Sequence, residues 1–370
     1  MKKIFVTKPS LPPKDQFYQL IDEIWESEYI TNDGDFHKKL EKALSEYLEV
    51  DHISVFSNGT LALITALQAL NIKGEVITTP YSFVATTNSL IWNGITPVFA
   101  DIDEHSCNMS VDAVEKAITP QTTALMPVHV YGTPCDMEGM EALAKKHNLK
   151  IIYDAAHAFG VKYNGQSILN YGDLSILSFH ATKVYNTIEG GAIISHSAEM
   201  KTKIDNLKNF GITDELTVVD SGINAKMNEV QAAYGLLNLK YIDENIRLRK
   251  EAHDYYASQL KDVPGLNLLD ISSIENYNYG YFPVFVGENY PVNRDQLYDI
   301  LMKAGIYSRR YFYPLISDFP IYASIPSANR SNLPHAVKLT ESVLCLPLYA
   351  KLDRSTIDRI VDVVKNPEKR

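Results

Sequence analysis

A single lysine, Lys183, lies on a polar loop between two apolar runs, Leu174–Phe179 and Ala192–Ser195, with Ser178, His180 and Thr182 beside it. Runs of this length fit buried strands and are too short for helices. A lysine held in the wall of a fold loses hydration, which lowers its ammonium pKa and frees the amine as a nucleophile. The commonest chemistry of such an amine is a Schiff base, with a carbonyl substrate or with pyridoxal phosphate. Two further stretches bear on that chemistry. Ser57–Asn58–Gly59–Thr60 joins an apolar run to a helical pattern. Its glycine lets an anion approach the backbone, and the helix start offers free amides, which suits a lone phosphate as well as it suits an ordinary helix cap. No Gly-Lys-Thr follows, so it is not a nucleotide P-loop. Asp154 ends the run Ile151–Tyr153, where parallel sheets bind ligands. Opposite a pyridine nitrogen it would keep that nitrogen protonated and make the ring a better electron sink. Its plainer role is a helix N-cap. It precedes Lys183 by 29 residues, one strand and a turn, so the two can face one site.

Strand-like runs at Ile53–Phe56, Val76–Thr79, Pro97–Ile102, Ala124–Val130 and Lys150–Asp154 alternate with helical patterns such as Leu63, Ala66, Leu67, Leu70 and Met137, Met140, Leu143, Ala144. With the two runs flanking Lys183 they predict an α/β fold whose mostly parallel sheet has about seven strands and helices on both faces. Helices are expected after Pro12–Pro13 and over Phe36 to Leu48, with Ile30–Gly34 a polar loop between them. From Lys226 to about Lys261 the pattern reads as one continuous helix leaving the large domain. A smaller C-terminal domain follows, with strands at Tyr281–Val286, Tyr307–Tyr313 and Leu344–Leu348. One helix there is capped by Asn293 and Gln296 and stopped at Gly305, and a last one starts after Asp353. The expected division is 1–240 and 241–370.

The chain has 370 residues, 45% of them hydrophobic, and a net charge of −10 with no basic run, which excludes a nucleic-acid or anionic membrane partner. Cys107, Cys135 and Cys345 are odd in number and far apart, which suits a reducing compartment better than a disulfide framework. Ten histidines show no metal-ligand spacing, and Asp101–Ile102–Asp103 reads as a strand-ending turn, so no metal is expected. The N-terminus lacks a signal-like apolar segment and no stretch could span a bilayer, so the protein is expected in the cytoplasm.

Asn58-Gly59-Thr60-Leu61-Ala62-Leu63, Thr79-Pro80-Tyr81-Ser82-Phe83, Asp154-Ala155-Ala156-His157, Ser178-Phe179-His180-Ala181-Thr182-Lys183 and Glu189-Gly190-Gly191 stand in one order and spacing. With Asn224, Met227–Ala233 and Leu346-Pro347-Leu348-Tyr349, they resemble the DegT/DnrJ/StrS sugar aminotransferases over nearly the whole chain. The resemblance implies the fold-type-I architecture, pyridoxal phosphate as cofactor, and a homodimer with shared active sites. It casts Lys183 as the Schiff-base lysine, Asp154 as partner of the pyridine nitrogen and His157 as the group near the ring 3-oxygen. Phe83 would stack on the ring, while Gly59, Thr60 and Ser178 hold the phosphate with Asn224 of the other subunit.

The stretch Val6–Pro13, the Thr31-Asn32-Asp33-Gly34 loop and His180–Thr187 narrow the likeness. They resemble members that form dTDP-4-amino-4,6-dideoxyglucose from the 4-keto sugar nucleotide and L-glutamate, a step toward surface glycans such as O-antigen. Thr31, His129, Tyr131, Tyr185, Arg310, Tyr311 and Tyr313 are the candidate substrate contacts. Alternatives are a 3-aminotransferase on a dTDP-3-keto-6-deoxyhexose, an enzyme of another UDP- or GDP-keto sugar, and a non-catalytic regulatory protein that binds the same cofactor. Some relatives carry histidine in place of the lysine and act as dehydratases, so Lys183 favours transamination.

Overall fold

Strands His52–Phe56, Gly191–Ser195, Leu174–Ser178, Lys150–Asp154, Thr122–Met126, Glu75–Thr78 and Thr96–Phe99, in that spatial order, form the central sheet of the computed structural model, which describes residues 3–369. Gly191–Ser195 runs antiparallel to both neighbours, and the remaining pairings are parallel. Near-continuous burial along these strands is what a sheet covered on both faces requires. The two-residue period then sorts the side chains. Ile152, Ile176 and Ile193 pack with Ala62, Ala66 and Leu67 of helix Gly59–Ala69. Ile151, Leu177 and Ile194 pack with Leu40 and Leu44 of helix Asp35–Leu48 and with Met140 and Leu143 of helix Met137–His147.

Register brings the motifs to one edge of the sheet. Gly191 pairs with both Phe56 and Ser178, and Asp154 pairs with Ile176 one strand further on. The loop after Phe56, the loop after Ser178 and the end of the Asp154 strand are therefore neighbours. Between Ser178 and Gly191 the chain turns back on itself, held by Phe179 N–H to Gly190 O at 2.8 Å and Thr187 N–H to Phe179 O at 2.9 Å. Lys183 sits in this turn, its amide donating to His180 O at 2.8 Å.

Asn228 caps helix Glu229–Leu239 in a capping box with Gln231. Glu229 is buried, and its carboxylate accepts the amides of Phe36 at 2.8 Å and His37 at 2.9 Å. A Cβ at Gly34 would come within 2.6 Å of Glu229 Oε2, so glycine is what lets the Thr31–Gly34 loop close onto this carboxylate.

Beyond the long helices, Leu266–Leu268, Phe282–Val286 and Val343–Leu346 form an antiparallel three-stranded sheet. Helices Ile242–Leu260, Arg294–Lys303 and Arg354–Lys365 bury Tyr256, Leu297 and Ile360 in the apolar cluster of that sheet. The expected capping box at Asn293 and Gln296 and the Asp353 cap are present.

Two expectations need correction. The continuous helix from Lys226 is instead Glu229–Leu239 and Ile242–Leu260, with Lys226 bridged to Phe56 and a break at Lys240–Tyr241, where Tyr241 takes a non-helical φ of −110° and ψ of 3°. The strand over Tyr307–Tyr313 shortens to Ile306–Tyr307, paired with Ile4–Phe5, and Arg309 adds one bridge to Cys345. After it the chain turns, Tyr313 N–H donating to Arg310 O at 2.7 Å. Its aromatic residues pack against the core around Tyr81 and Tyr131, which a two-residue strand alternation does not anticipate.

Candidate active site

Asp154 ends its strand almost fully buried. Its carboxylate accepts from Thr86 Oγ1 at 2.8 Å and from the Ala156 amide at 3.1 Å. Burial raises its pKa, and these two donors and the charge of Lys183 oppose that shift only in part. The carboxylate is thus held by neutral groups in a place where a facing cation would stabilise its ionised form. Lys183 is partly buried, and loss of hydration pulls its pKa down to about 8, with the Asp154 charge working the other way. Its Nζ donates to the Tyr281 hydroxyl at 3.4 Å.

His157 is buried beside them. The Tyr131 amide donates to its Nδ1 at 3.2 Å, so Nε2 carries the ring proton. Burial, with Lys183 adding repulsion, drives its pKa well below the ordinary range and keeps the imidazole neutral. Its ring stacks on Phe312, interplanar angle 2°, and lies 4.8 Å from the Tyr281 ring centroid. Tyr131 reaches this position with a left-handed φ of 57°, and its hydroxyl donates to Tyr311 O.

On the other side of Lys183, Asn58 caps helix Gly59–Ala69 by accepting the Leu61 amide at 2.9 Å, which leaves the first amides of the helix open to an anion. This cradle is made by small residues. A Cβ on Gly59 would stand 3.1 Å from Ser178 Cβ, and one on Gly191 would stand 2.7 Å from Gly59 Cα. The exposed Thr60 and the half-exposed Ser178 add hydroxyls at its mouth. Phe83, 61% exposed, presents an uncovered ring from the loop that leads to Thr86, its carbonyl accepting the Thr86 amide at 3.2 Å.

The candidate substrate contacts divide. Tyr311 lines a small cavity with Tyr281, Thr182 and Thr7 next to Lys183. Arg310 is committed elsewhere, donating to Asp295 at 2.8 Å beneath the rings of Tyr298 and Tyr313, and Tyr313 also covers Arg294. Thr31 is half-exposed on the loop that Glu229 fastens. Asn224 is exposed and accepts from Lys226 at 3.0 Å.

His129 and Tyr185 are both core residues. His129 is fully buried and stacks on Tyr153 at 4.8 Å, and its Nδ1 accepts the Cys135 amide at 3.0 Å. Burial takes its pKa to about 3, so it is a neutral strand-end side chain facing inward. Tyr185 is fully buried and stacked on Phe159 at 4.5 Å inside the core. Thr86 and Tyr281 carry no sequence expectation of a site role, while Tyr131, a candidate substrate contact at the end of its strand, lies with its ring against Tyr281 and Phe312. Thr86 follows a quoted motif, so a contact was inferable in principle, whereas the approach of Tyr281 comes from a distant segment and has no local signal.

The cleft and the sheet edge beneath it define a lysine-centred α/β transferase. The chain belongs to the DegT/DnrJ/EryC1/StrS aminotransferase family, which matches residues 13–365. It is 50% identical to a dTDP-4-amino-4,6-dideoxy-D-glucose transaminase of Shigella dysenteriae over 98% of this chain and 99% of that protein. Against a GDP-perosamine synthase of Caulobacter vibrioides the identity is 32% over 98% and 97%. The solved structure of DesI in the presence of its TDP-sugar product superposes with a TM-score of 0.93 at 32% identity, covering 100% of this chain and 95% of the other. The protein is a sugar aminotransferase with pyridoxal phosphate as its cofactor. The residues fit that group: a buried carboxylate whose described hydrogen-bond partners are neutral, an amine of lowered pKa, an anion cradle and an uncovered aromatic ring.

Proposed function

We propose that the protein moves the amino group of L-glutamate onto C4 of dTDP-4-keto-6-deoxyglucose, giving dTDP-4-amino-4,6-dideoxyglucose and 2-oxoglutarate, for building a surface glycan. The class rests on the amine of Lys183 placed within the field of the buried Asp154. The sugar rests on the gap between 50% and 32% identity to relatives that differ in the nucleotide sugar they are named for.

Pyridoxal phosphate, when bound, supplies an electron sink for the bond broken at the donor carbon. In this reading Lys183 tethers it, and Asp154 holds a proton on its ring nitrogen. The Nε2–H of His157 would be available to donate to the cofactor, and the exposed ring of Phe83 would be available to stack on it. Gly59, Thr60 and Ser178 take the phosphate. Once detached, Lys183 Nζ removes the Cα proton of glutamate and later delivers a proton to C4 of the sugar. One amine thus serves in both halves, which makes the reaction ping-pong. Tyr311 is the candidate substrate contact in this reading, supported by its place in the cavity with Thr182 and Tyr281. The proposed division at 1–240 and 241–370 is supported by the separate apolar cluster of the C-terminal sheet, which also takes in Ile4.

Turnover with glutamate and a panel of dTDP-, UDP- and GDP-linked 4-keto and 3-keto sugars tests the substrate. The dTDP-4-keto sugar is expected to give the highest kcat/KM, roughly a hundredfold or more above the others, as for a site that must satisfy specific polar groups. Preference for a 3-keto or UDP-linked sugar overturns the assignment.

A homodimer with shared sites is part of the proposal. It is supported by Asn224, which is exposed and, among the described residues, bonded within the Asn209–Lys226 group. Lys183→Ala and Asn224→Ala chains, each inactive or nearly so alone, are expected to regain activity when mixed, since one site of the hybrid would be intact. Hybrids that form and stay inactive would place Asn224 in its own chain's site.

A further inference from the structure

The Lys183 amine donates a hydrogen bond to the C-terminal part of the chain, to a residue outside the cofactor motifs. We propose that Tyr281 is a positioning residue for Lys183, its hydroxyl holding the detached amine in place between the two proton transfers. This rests on the reading of Lys183 as tether and proton carrier.

Tyr281 stands just before strand Phe282–Val286, and three rings fix its own. His157 lies at 4.8 Å, Tyr131 at 5.6 Å and Tyr311 at 6.0 Å between centroids. The phenol therefore has little rotamer freedom to lose on holding a partner. It lines the same small cavity as Thr182, the residue before Lys183.

The choice of a phenol matches the task. An amine that takes a proton and gives it back needs a partner that binds both of its states. A carboxylate in bonding distance would pin the ammonium. A phenol accepts from the ammonium and donates to the neutral amine. Burial drives the Tyr281 pKa well above its ordinary value, so the hydroxyl keeps its own proton throughout. The charged and titratable groups around the pair are Asp154, which acts on Lys183 through its field, the neutral His157, the phenols Tyr131, Tyr277 and Tyr311, the thiol Cys345, and Arg249 behind Tyr281. Arg249 is itself buried and donates to Leu348 O at 3.3 Å, with no acid among its described partners. Its positive charge strengthens the phenol as a donor without offering the amine a competing acceptor.

Tyr281→Phe keeps the ring and removes the hydroxyl. In cofactor-free protein, the protonation of Lys183 is read by competitive acetylation across pH and mass spectrometry of its peptide. The wild-type midpoint is expected at about 8. In Tyr281→Phe it should fall by about half a unit to one unit, because the bond lost to the ammonium is stronger than the one lost to the neutral amine. In holoenzyme, kcat should fall by roughly tenfold with KM for glutamate nearly unchanged, and the isotope effect with α-deuterated glutamate should rise. Tyr256→Phe removes a buried, unpartnered hydroxyl in the C-terminal core and is expected to leave the midpoint alone. A folded Tyr281→Phe protein with the wild-type midpoint and isotope effect overturns the proposal. Covalent cofactor found on another lysine would instead overturn the reading beneath it, while the midpoint shift would still report the Tyr281 contact.

Discussion

In Lys183→Ala, transamination is expected to fall to background while pyridoxal phosphate is still taken up. The anion cradle of Gly59, Ser178 and the Asn58-capped helix does not involve the lysine side chain, and neither does the carboxylate of Asp154. What disappears is the amine that tethers, removes the Cα proton and returns one to the sugar. Loss of a positioned acid–base group alone costs roughly a hundredfold to ten-thousandfold, and loss of the tether adds to it. Borohydride treatment of wild type followed by peptide mapping should place a pyridoxyl group on Lys183, and the variant should carry none. Label on another lysine defeats the assignment. The pH profile has a definite sign. Burial lowers the Lys183 pKa to about 8, so the neutral, proton-accepting form grows as pH rises through that value. The detached-amine step in wild type should accelerate over the same range. Added methylamine, a free base of similar reach, should restore a small part of the lost rate to Lys183→Ala.

Much of this cleft was legible because its parts are local. A glycine before a helix start, an aspartate ending an apolar run and a lysine between two such runs each carry their own signal. The sheet register then brings Phe56, Ser178, Gly191 and Asp154 to one edge. Substrate contacts were read less well because local pattern does not report depth. Tyr185 follows Lys183 by two residues, yet the turn carries it into the core against Phe159. His129 ends a strand as Asp154 does, but its ring faces the Cys135 amide and Tyr153. The 226–261 segment looked like one helix because hydrophobic periodicity continues across the break at Tyr241, and the Asn228–Gln231 box that sets its start was read only as part of a motif. Tyr281 is 98 residues from Lys183 in sequence, and only tertiary packing joins them.

Asp154→Asn is expected to separate the electronic role of this residue from its structural one. The structure gives the amide everything it needs. Its oxygen can accept the Ala156 amide, and its nitrogen can donate to Thr86 Oγ1, which is free to turn its own proton toward Ser82 Oγ 3.0 Å away. The amide oxygen and nitrogen each keep one partner among the described residues. Burial already disfavours the carboxylate charge, so its removal should leave the melting temperature of cofactor-free protein unchanged or raise it. With cofactor bound the comparison reverses. A carboxylate facing a protonated ring nitrogen holds that proton by charge, and an amide does not. A charge-assisted bond of this kind contributes roughly 1.5–3 kcal/mol, which corresponds to a loss of about tenfold to a hundredfold in the rate of Cα proton removal. The weakened electron sink should enlarge that loss, while Lys183 should still be labelled by borohydride because its attachment does not depend on the ring proton. Single-turnover reaction with glutamate, followed by the absorbance of the bound cofactor, measures the step directly. A variant that transaminates at the wild-type rate would reduce Asp154 to the cap of the turn at Ala156 and remove the cofactor orientation proposed for this cleft.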